Sequence, residues 1–376
     1  MKLRLKQSIF TLFTILFFTF MNAQESDVKK ALSLARVKKD GKIHIFQVNR
    51  IEDTFIEGID LSESFNMYPN TIFELIENVG YDQITEKILV SNSIKINTSN
   101  VLTPVDATKT TIAAATNYPE HKEETNVEIE PVLFPKVAEL TPYISQVNTK
   151  KEFLLDYEVE LAVVYSKDVK RADDINNQLL GFMVVMDYSD RESQLRDYDT
   201  DHPELAVGFT DSKSHETFFP VGAILVIPKD WKNYYKELNL KLWRNNEIKQ
   251  NDFPKNLYWD VPKITEETLK LGSKKIWTLK GNPISLLQKN YIEKGTIVIT
   301  GTPGGVIFTT PTKGYIIRNA IKYSLLFKFF SWKPKEYVIN QFVKKLRKQD
   351  QYLKEGEIIK AEISNLGYIK STVISE

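Results

Sequence analysis

His121 and Glu124 sit three residues apart in TNYPEHKEE, in a chain that has only four histidines. Proline favours the first position of a helix, so Pro119 predicts a short helix with His121 and Glu124 on one face. A carboxylate beside an imidazole orients the ring and holds it ready to take a proton. A solvated helix start with scattered charges fits the same letters. A second acidic pair lies in LLDYEVELAVV. On a strand, alternation places Glu158 and Glu160 on one face with Ala162 and Val164, and Tyr157, Val159, Leu161 and Val163 on the other. Two carboxylates on an apolar strand repel each other and are costly to desolvate, and a hard divalent cation relieves both costs. Two ordinary glutamates on a solvent-facing strand are the alternative. Asp187 closes the next apolar run, GFMVVMDYSDRESQ, as a turn former or a third oxygen ligand, and Arg191 and Gln194 follow it.

Further on, Lys213 stands just before a strand pattern in DSKSHETFFPVG. In VITGTPGGV, the glycines let backbone amides approach a ligand and Thr302 adds a hydroxyl, although a plain tight turn accounts for the stretch too. DYDTDHPE, from Asp197, carries acids at the first, third and fifth positions of a calcium loop. His202 takes the position that needs glycine and Gly208 the one where a glutamate closes the site, so the segment reads as a charged surface loop.

The elements that would position these groups are mostly strands. TIAAAT, FLLDYEVELAVVYS, LLGFMVVMDYS, GAILVIP, LNLKLWRN, GTIVITGTP, EIIKAEI and IKSTVIS are β-like, with few and short helical patterns between them. That argues for a β-rich α+β fold and against a βαβ repeat. Residues 24–105 form a small N-terminal α+β unit: GKIHIFQVN alternates as a strand, NTIFELIENVG reads as an amphipathic helix stopped at Gly80, and EKILVSNSIKI reads as a further strand. Residues 106–376 form the second unit.

The bulk composition narrows the class. The chain has 376 residues, 42% hydrophobic and 26% charged, with a formal net charge of +1, which gives no argument for nucleic acid. It has no cysteine, which excludes disulfides, thiolate metal sites and a cysteine nucleophile. Lys2, Arg4 and Lys6 precede the apolar run Ser8–Phe20 and the small residue Ala23. This is the pattern of a secretory signal peptide over residues 1–23, and it predicts export to the periplasm or medium with cleavage near Ala23. An uncleaved N-terminal anchor is the rival.

In chain order, Asn117-Tyr118-x-x-His121-x-x-Glu124, Glu158-x-Glu160, Asp187 with Arg191 and Gln194, Lys213, and Thr300-Gly301-Thr302-Pro303 together resemble the catalytic domain of the fumarylacetoacetate hydrolase family. The resemblance covers roughly residues 105–310 and 351–376, where YLKEGEIIKAEISNLGYIKSTV looks like the family's closing strands. It implies a roll-like mixed β catalytic domain, a homodimer, and a divalent cation, Mg²⁺ or else Ca²⁺ or Mn²⁺, on Glu158, Glu160 and Asp187. It also implies a water-activating dyad of His121 and Glu124 on a segment that orders as a lid, with Lys213 at the substrate oxyanion. Tyr118, Arg191, Gln194 and Thr302 would bind or position a small keto-acid substrate. The expected reaction is hydrolysis of a carbon–carbon bond in a 1,3-dicarbonyl or acylpyruvate-like acid. The same site suits decarboxylation, isomerisation or hydration through an enolate, and an exported binding protein that kept only the metal is a further class. The sequence departs from the family at Thr116, Met186, Glu192 and Ala223, where Leu, Asn, Asp and Pro are usual.

Residues 311–350 interrupt the strand-rich part. From Lys313 to Asp350 there are ten Lys or Arg and two acids. Val338, Ile339, Phe342, Val343 and Leu346 follow helical spacing, and YIIRNAIKYSLLFKFFSW mixes aromatics with a charge every few residues. Those charges forbid a spanning helix, whereas an apolar face beside a basic one suits an anionic membrane surface. Packing on the catalytic domain or a dimer partner, and a cap over the site, are the other expectations.

Overall fold

The structure, a computed structural model, describes residues 31–106, 111–125, 129–199 and 201–376. The export segment expected over residues 1–23 lies outside them. Runs rich in Val, Ile, Leu and Phe, bounded by Gly, Asn and Asp, build the strands. Eleven of the described strands form one mixed sheet. Its spatial order is Ile94–Asn97, Phe55–Asp60, Lys42–Ile51, Ala31–Lys39, Leu225–Pro228, Leu180–Met186, Val159–Tyr165, Ile297–Ile299, Thr111–Ala115 and Val132–Lys136, with Val101–Leu102 paired beside Ala31–Lys39. Ala31–Lys39 pairs antiparallel with Leu225–Pro228, Leu32 opposite Ile227. The sheet therefore runs unbroken from the N-terminal α+β unit into the chain beyond residue 106, and one apolar core spans both.

The central strands Val159–Tyr165 and Leu180–Met186 are buried along their whole length, which is why they read as continuous apolar runs. A five-stranded sheet, ordered Glu247–Asp252, Leu240–Arg244, Ile358–Ile363, Gly367–Ser375 and Ile144–Thr149, packs against Leu180–Met186. Around the central strands, Tyr235 stacks on Phe182 with ring centroids 5.7 Å apart, and Thr265 of the helix Val261–Leu271 meets the Tyr165 hydroxyl at 2.7 Å. The fold is thus a β-rich α+β architecture, as the strand patterns predict.

Two local expectations need correction. In EKILVSNSIKI the first half is helical: Tyr81–Leu89 is a helix that buries Ile84, Thr85 and Ile88, and only Ile94–Asn97 is a strand. Burial at i, i+1 and i+4 against the sheet overrides the β-branched composition. Lys213 does not directly precede a strand. It ends a short helix, Phe209–Lys213, and the next strand is Phe219–Pro220. The helix Ile72–Val79 forms as read, with a capping box between Thr71 and Glu74 and an end at Gly80.

The segment 311–350 is a helical hairpin of Lys313–Leu325 and Pro334–Gln349. The second helix packs inward: Phe342, Val343 and Leu346 form a small apolar cluster with Leu154, Leu195, Phe308 and Tyr352. The first helix rests on the second through Tyr315 against Phe342 and Tyr323 against Tyr337, and of its own residues only Asn319 is buried. Among the described residues, no helix is long and apolar enough to cross a membrane.

Candidate metal centre and active site

The register of the central strands brings the acids together. Val159 lies opposite Met186, and one step further the Asp187 amide donates to the Glu158 carbonyl at 2.9 Å. Glu158 and Asp187 therefore face each other across the same ladder, and alternation adds Glu160. All three are buried, and one oxygen from each lies within 4.8 Å of the others. The neighbouring strands Ile297–Ile299 and Thr111–Ala115 run parallel, Val298 opposite Ile112. Their C-terminal ends deliver Thr300–Gly305 and Thr116–Glu124 to the same edge.

The first of these loops is built on close approach. Thr300 N–H donates to the Leu161 carbonyl at 3.0 Å and Gly301 N–H to Glu160 Oε2 at 2.7 Å. A side chain at Gly301, where φ is +94°, would meet Asn117 Cβ at 3.0 Å. Thr302 Oγ1 donates to the Val159 carbonyl at 3.0 Å and accepts from Gln250 Nε2 at 2.8 Å. The second loop carries the helix Pro119–Thr125. His121 Nδ1 lies 3.0 Å from Glu124 Oε1, and Glu124 is itself anchored by the Gly305 amide at 2.8 Å. With Nδ1 engaged, Nε2 is the ring nitrogen left for the cavity that His121 lines.

Thr116, just before this helix, has φ +56°, a conformation that a β-branched residue rarely adopts. Asn117 holds the turn in place: its amide donates to the carbonyls of Trp259 and Thr300, both at 2.9 Å, and its oxygen accepts from Trp259 N–H at 2.7 Å.

Three buried cations face four buried carboxylates. Lys213 Nζ bridges Glu158, at 2.5 Å, and Asp187, at 2.7 Å. Lys136 Nζ donates to Asp187 Oδ1 at 2.7 Å and to the Lys213 carbonyl. Arg191 donates to Asp156 at 2.9 Å, to Glu158, and to Gln194 Oε1 at 2.7 Å, and stacks on Phe308. Burial alone would raise Glu158, but Arg191 and Lys213 hold its carboxyl well below the usual range. Burial would likewise lower Lys213, and Asp187 and Glu158 keep it raised. Burial pushes Lys136 down despite Asp187, and pushes Asp156 up despite Arg191. Glu160 differs from its neighbours. Burial, then Asp187 and Glu158, push it well above its usual value, and among the described residues it forms no ion pair. A buried carboxylate facing two others, with one amide as partner, is the group a hard cation would stabilise. The donor set, three carboxylates, suits Mg²⁺, Ca²⁺ or Mn²⁺.

The cavity beside these groups is small, about 40 Å³, roughly the room of three water-sized groups. His121, Glu158, Glu160, Asp187, Arg191, Gln194, Lys213 and Thr302 line it, closed by Phe134, Phe209 and Phe308. Tyr118 does not line it. Its ring is fully buried and its hydroxyl has no hydrogen-bond partner among the described residues. Three of the departures from the family pattern also lie off the cavity. Met186 is in the main core, Ala223 is buried there too, and Glu192 turns outward to pair with Arg196 at 2.6 Å and Arg347 at 2.5 Å.

Asp156, Lys136 and Gln250 take part in the site without having been singled out in the sequence, and Asn117 without a role of its own. Asp156 continues the alternation of Glu158 and Glu160 one step back, so the same pattern could have found it. Lys136 is a lone cation closing the apolar strand Val132–Lys136, a weaker signal. Asn117 precedes the dyad and was visible only as part of a motif. Gln250, whose Oε1 accepts from Val159 N–H at 3.0 Å, comes from the other sheet and left no local sign.

The model of the fumarylacetoacetate hydrolase C-terminal domain matches residues 110–374, more than two thirds of the chain. The chain belongs to the fumarylacetoacetate hydrolase family. Relatives include the fumarylacetoacetate hydrolase domain-containing protein 2 homolog of Dictyostelium discoideum, 26% identical over 84% of this chain and 89% of that protein. The oxaloacetate tautomerase YisK of Bacillus subtilis is 25% identical over 74% of this chain and 84% of that protein. Among solved structures, fumarylacetoacetate hydrolase from Exiguobacterium antarcticum superposes with a TM-score of 0.57 at 17% identity, covering 92% of this chain and 100% of that one. At that identity the likeness shows the fold.

Proposed function

We propose that this family member is a divalent-metal-dependent enzyme that hydrolyses a carbon–carbon bond in a 1,3-dicarbonyl or acylpyruvate-like acid. The observation that carries the reading is the oriented pair of His121 and Glu124 on a helix beside the three acids. Holding a ligand needs no base, whereas hydrolysis does. Glu158, Glu160 and Asp187 would hold the cation, which when bound supplies Lewis-acid polarisation of a carbonyl.

In this reading Glu124 fixes the ring of His121, and His121 takes a proton from water. The resulting hydroxide adds to the carbonyl carbon. Lys213 has three N–H donors and spends two on Glu158 and Asp187, which leaves one for the tetrahedral oxyanion. The carbon–carbon bond then breaks, its electron pair leaves as an enolate, and the proton on His121 returns to that carbon. Arg191 acts as a positioning residue, because its guanidinium already holds Asp156, Glu158 and Gln194. Thr302 ties the glycine loop to the strand and presents its remaining lone pair.

A second reading is keto–enol tautomerisation, favoured by the relative named oxaloacetate tautomerase that aligns with 74% of this chain. It needs the base and the acids but no attacking water. Acylpyruvates and enol-oxaloacetate, each assayed with Mg²⁺ on wild type and His121→Ala, decide between them. Cleavage lost in the variant supports hydrolysis, and enol loss without cleavage supports the second reading. Turnover of neither, with metal bound, would leave a binding protein.

We also propose export with cleavage near Ala23, from the basic start and the apolar run Ser8–Phe20. The mass of the protein from its native cells checks this, and a retained Met1 would refute it. A homodimer is proposed on the family resemblance, and sedimentation velocity reads it directly.

A further inference from the structure

Of the eighteen large apolar residues exposed among the described ones, nine fall between Ile316 and Trp332. They are not scattered. Ile317, Ile321 and Leu325 follow at i, i+4 and i+8 on the face of the first hairpin helix opposite the buried Asn319. Leu326, Phe327, Phe329, Phe330 and Trp332 continue that face around the tip, where Phe330 is 84% and Phe327 67% exposed. Phe327 has φ +50°, so the turn itself holds an aromatic residue in the left-handed region, with the Phe329 ring edge-on to it at 5.9 Å. A contiguous apolar patch of this kind marks an interaction site.

The charges around it select the occupant. From Lys313 to Lys335 there are six Lys or Arg and no acid. Arg318 and Lys322 flank the apolar row, and Lys333 and Lys335 stand at the base of the tip, all four exposed. A second copy of the chain, meeting this patch with its own, would set cation against cation. An anionic lipid surface accepts both parts: apolar side chains enter the headgroup boundary, aromatic rings sit at the interface, and lysines meet phosphate. We propose that the tip of this hairpin, Ile317–Trp332, docks the protein peripherally on an anionic phospholipid surface. The inner helix anchors it, since Phe342, Val343 and Leu346 are committed to the body of the protein.

Flotation of the full chain with phosphatidylcholine vesicles, with and without phosphatidylglycerol, tests this independently of any catalytic assay. Wild type should float with the anionic vesicles, and less so at high salt. Phe329→Ser with Phe330→Ser should lower partition on the order of tenfold, and Arg318→Glu with Lys322→Glu by a similar factor on anionic vesicles only. Comparing variants within the full chain separates the hairpin from the apolar run near the N-terminus. All these residues are exposed, so unchanged circular dichroism and turnover are expected. Equal flotation of wild type and variants would overturn the proposal, as would wild type that does not float. A Phe329→Ser, Phe330→Ser variant that turns a dimer into a monomer would also overturn it, assigning the patch to a second copy.

Discussion

Along Leu154–Tyr165, three carboxylates are buried, and cations, amides or other carboxylates surround each one. Along Lys313–Trp332, the charges are exposed and the large apolar side chains are exposed with them. The first region inverts the usual rule for charges and the second inverts it for hydrocarbon. Each inversion costs free energy in the isolated molecule, and in the readings proposed above each would be relieved by a different partner: a hard cation in one case, a lipid surface in the other. The comparison suggests a general way to find sites, which is to look for groups whose surroundings suit them only when something else is bound.

The widest gap between the regions should come from the acids. Asp187→Ala is expected to leave a flat calorimetric titration with Mg²⁺ and no turnover, because it removes a proposed ligand and leaves Lys136 and Lys213 without their shared partner. A wild-type isotherm in that variant would break the assignment. Vesicle flotation of the same variant, run without Mg²⁺, should match wild type.

His121→Ala should lose rate by about 10² to 10⁴ with Mg²⁺ affinity retained. Loss of metal affinity in step with rate would show that the imidazole is a ligand rather than a base.

Gly305→Ala probes the loop that holds Glu124. At φ +103°, an added Cβ would lie 1.9 Å from the Lys249 carbonyl oxygen, so backbone has to move. A loss of about 1–3 kcal/mol in thermal unfolding is expected, with kcat falling more than metal affinity. An unaltered kcat would mean that the Gly305 amide does not matter for the dyad.

The smallest effect concerns pH. Burial lowers the His215 imidazole, packed between Phe153 and Phe218, below its ordinary value of 6.5. Below that value the unfolded chain binds the proton more readily than the folded one, so stability should fall as pH drops through it. His215→Gln should flatten that part of a melting-temperature profile, and a profile as steep as wild type would exclude this histidine as the cause.

Much of this was legible because the information was local. The dyad follows from a proline and a spacing of three, and the paired glutamates follow from a period of two. Asp156 was equally legible by the same alternation, within the strand pattern FLLDYEVELAVVYS. Lys136 was harder, since its partners Asp187 and Lys213 lie 51 and 77 residues away. Separations of 35 and 33 residues likewise hid the task of Arg191, which reads as a substrate contact until its bonds to Asp156 and Glu158 are seen. In EKILV, β-branched residues favoured a strand, while burial of one helical face decided otherwise. The hairpin divided the expectations between its two helices, one packing inward and the other turning apolar residues out.

The helix Arg191–Asp197 belongs to both regions. Arg191 and Gln194 line the cavity, while Leu195 joins the hairpin's apolar cluster, Glu192 pairs with Arg347, and Arg196 donates to Asn340 at 2.8 Å. A short element shared in this way is the physical route by which the two equilibria would couple. Whatever factor vesicles impose on Mg²⁺ affinity, Mg²⁺ must impose on vesicle affinity. The factor can therefore be measured twice, once by calorimetry and once by flotation, and the two values have to agree.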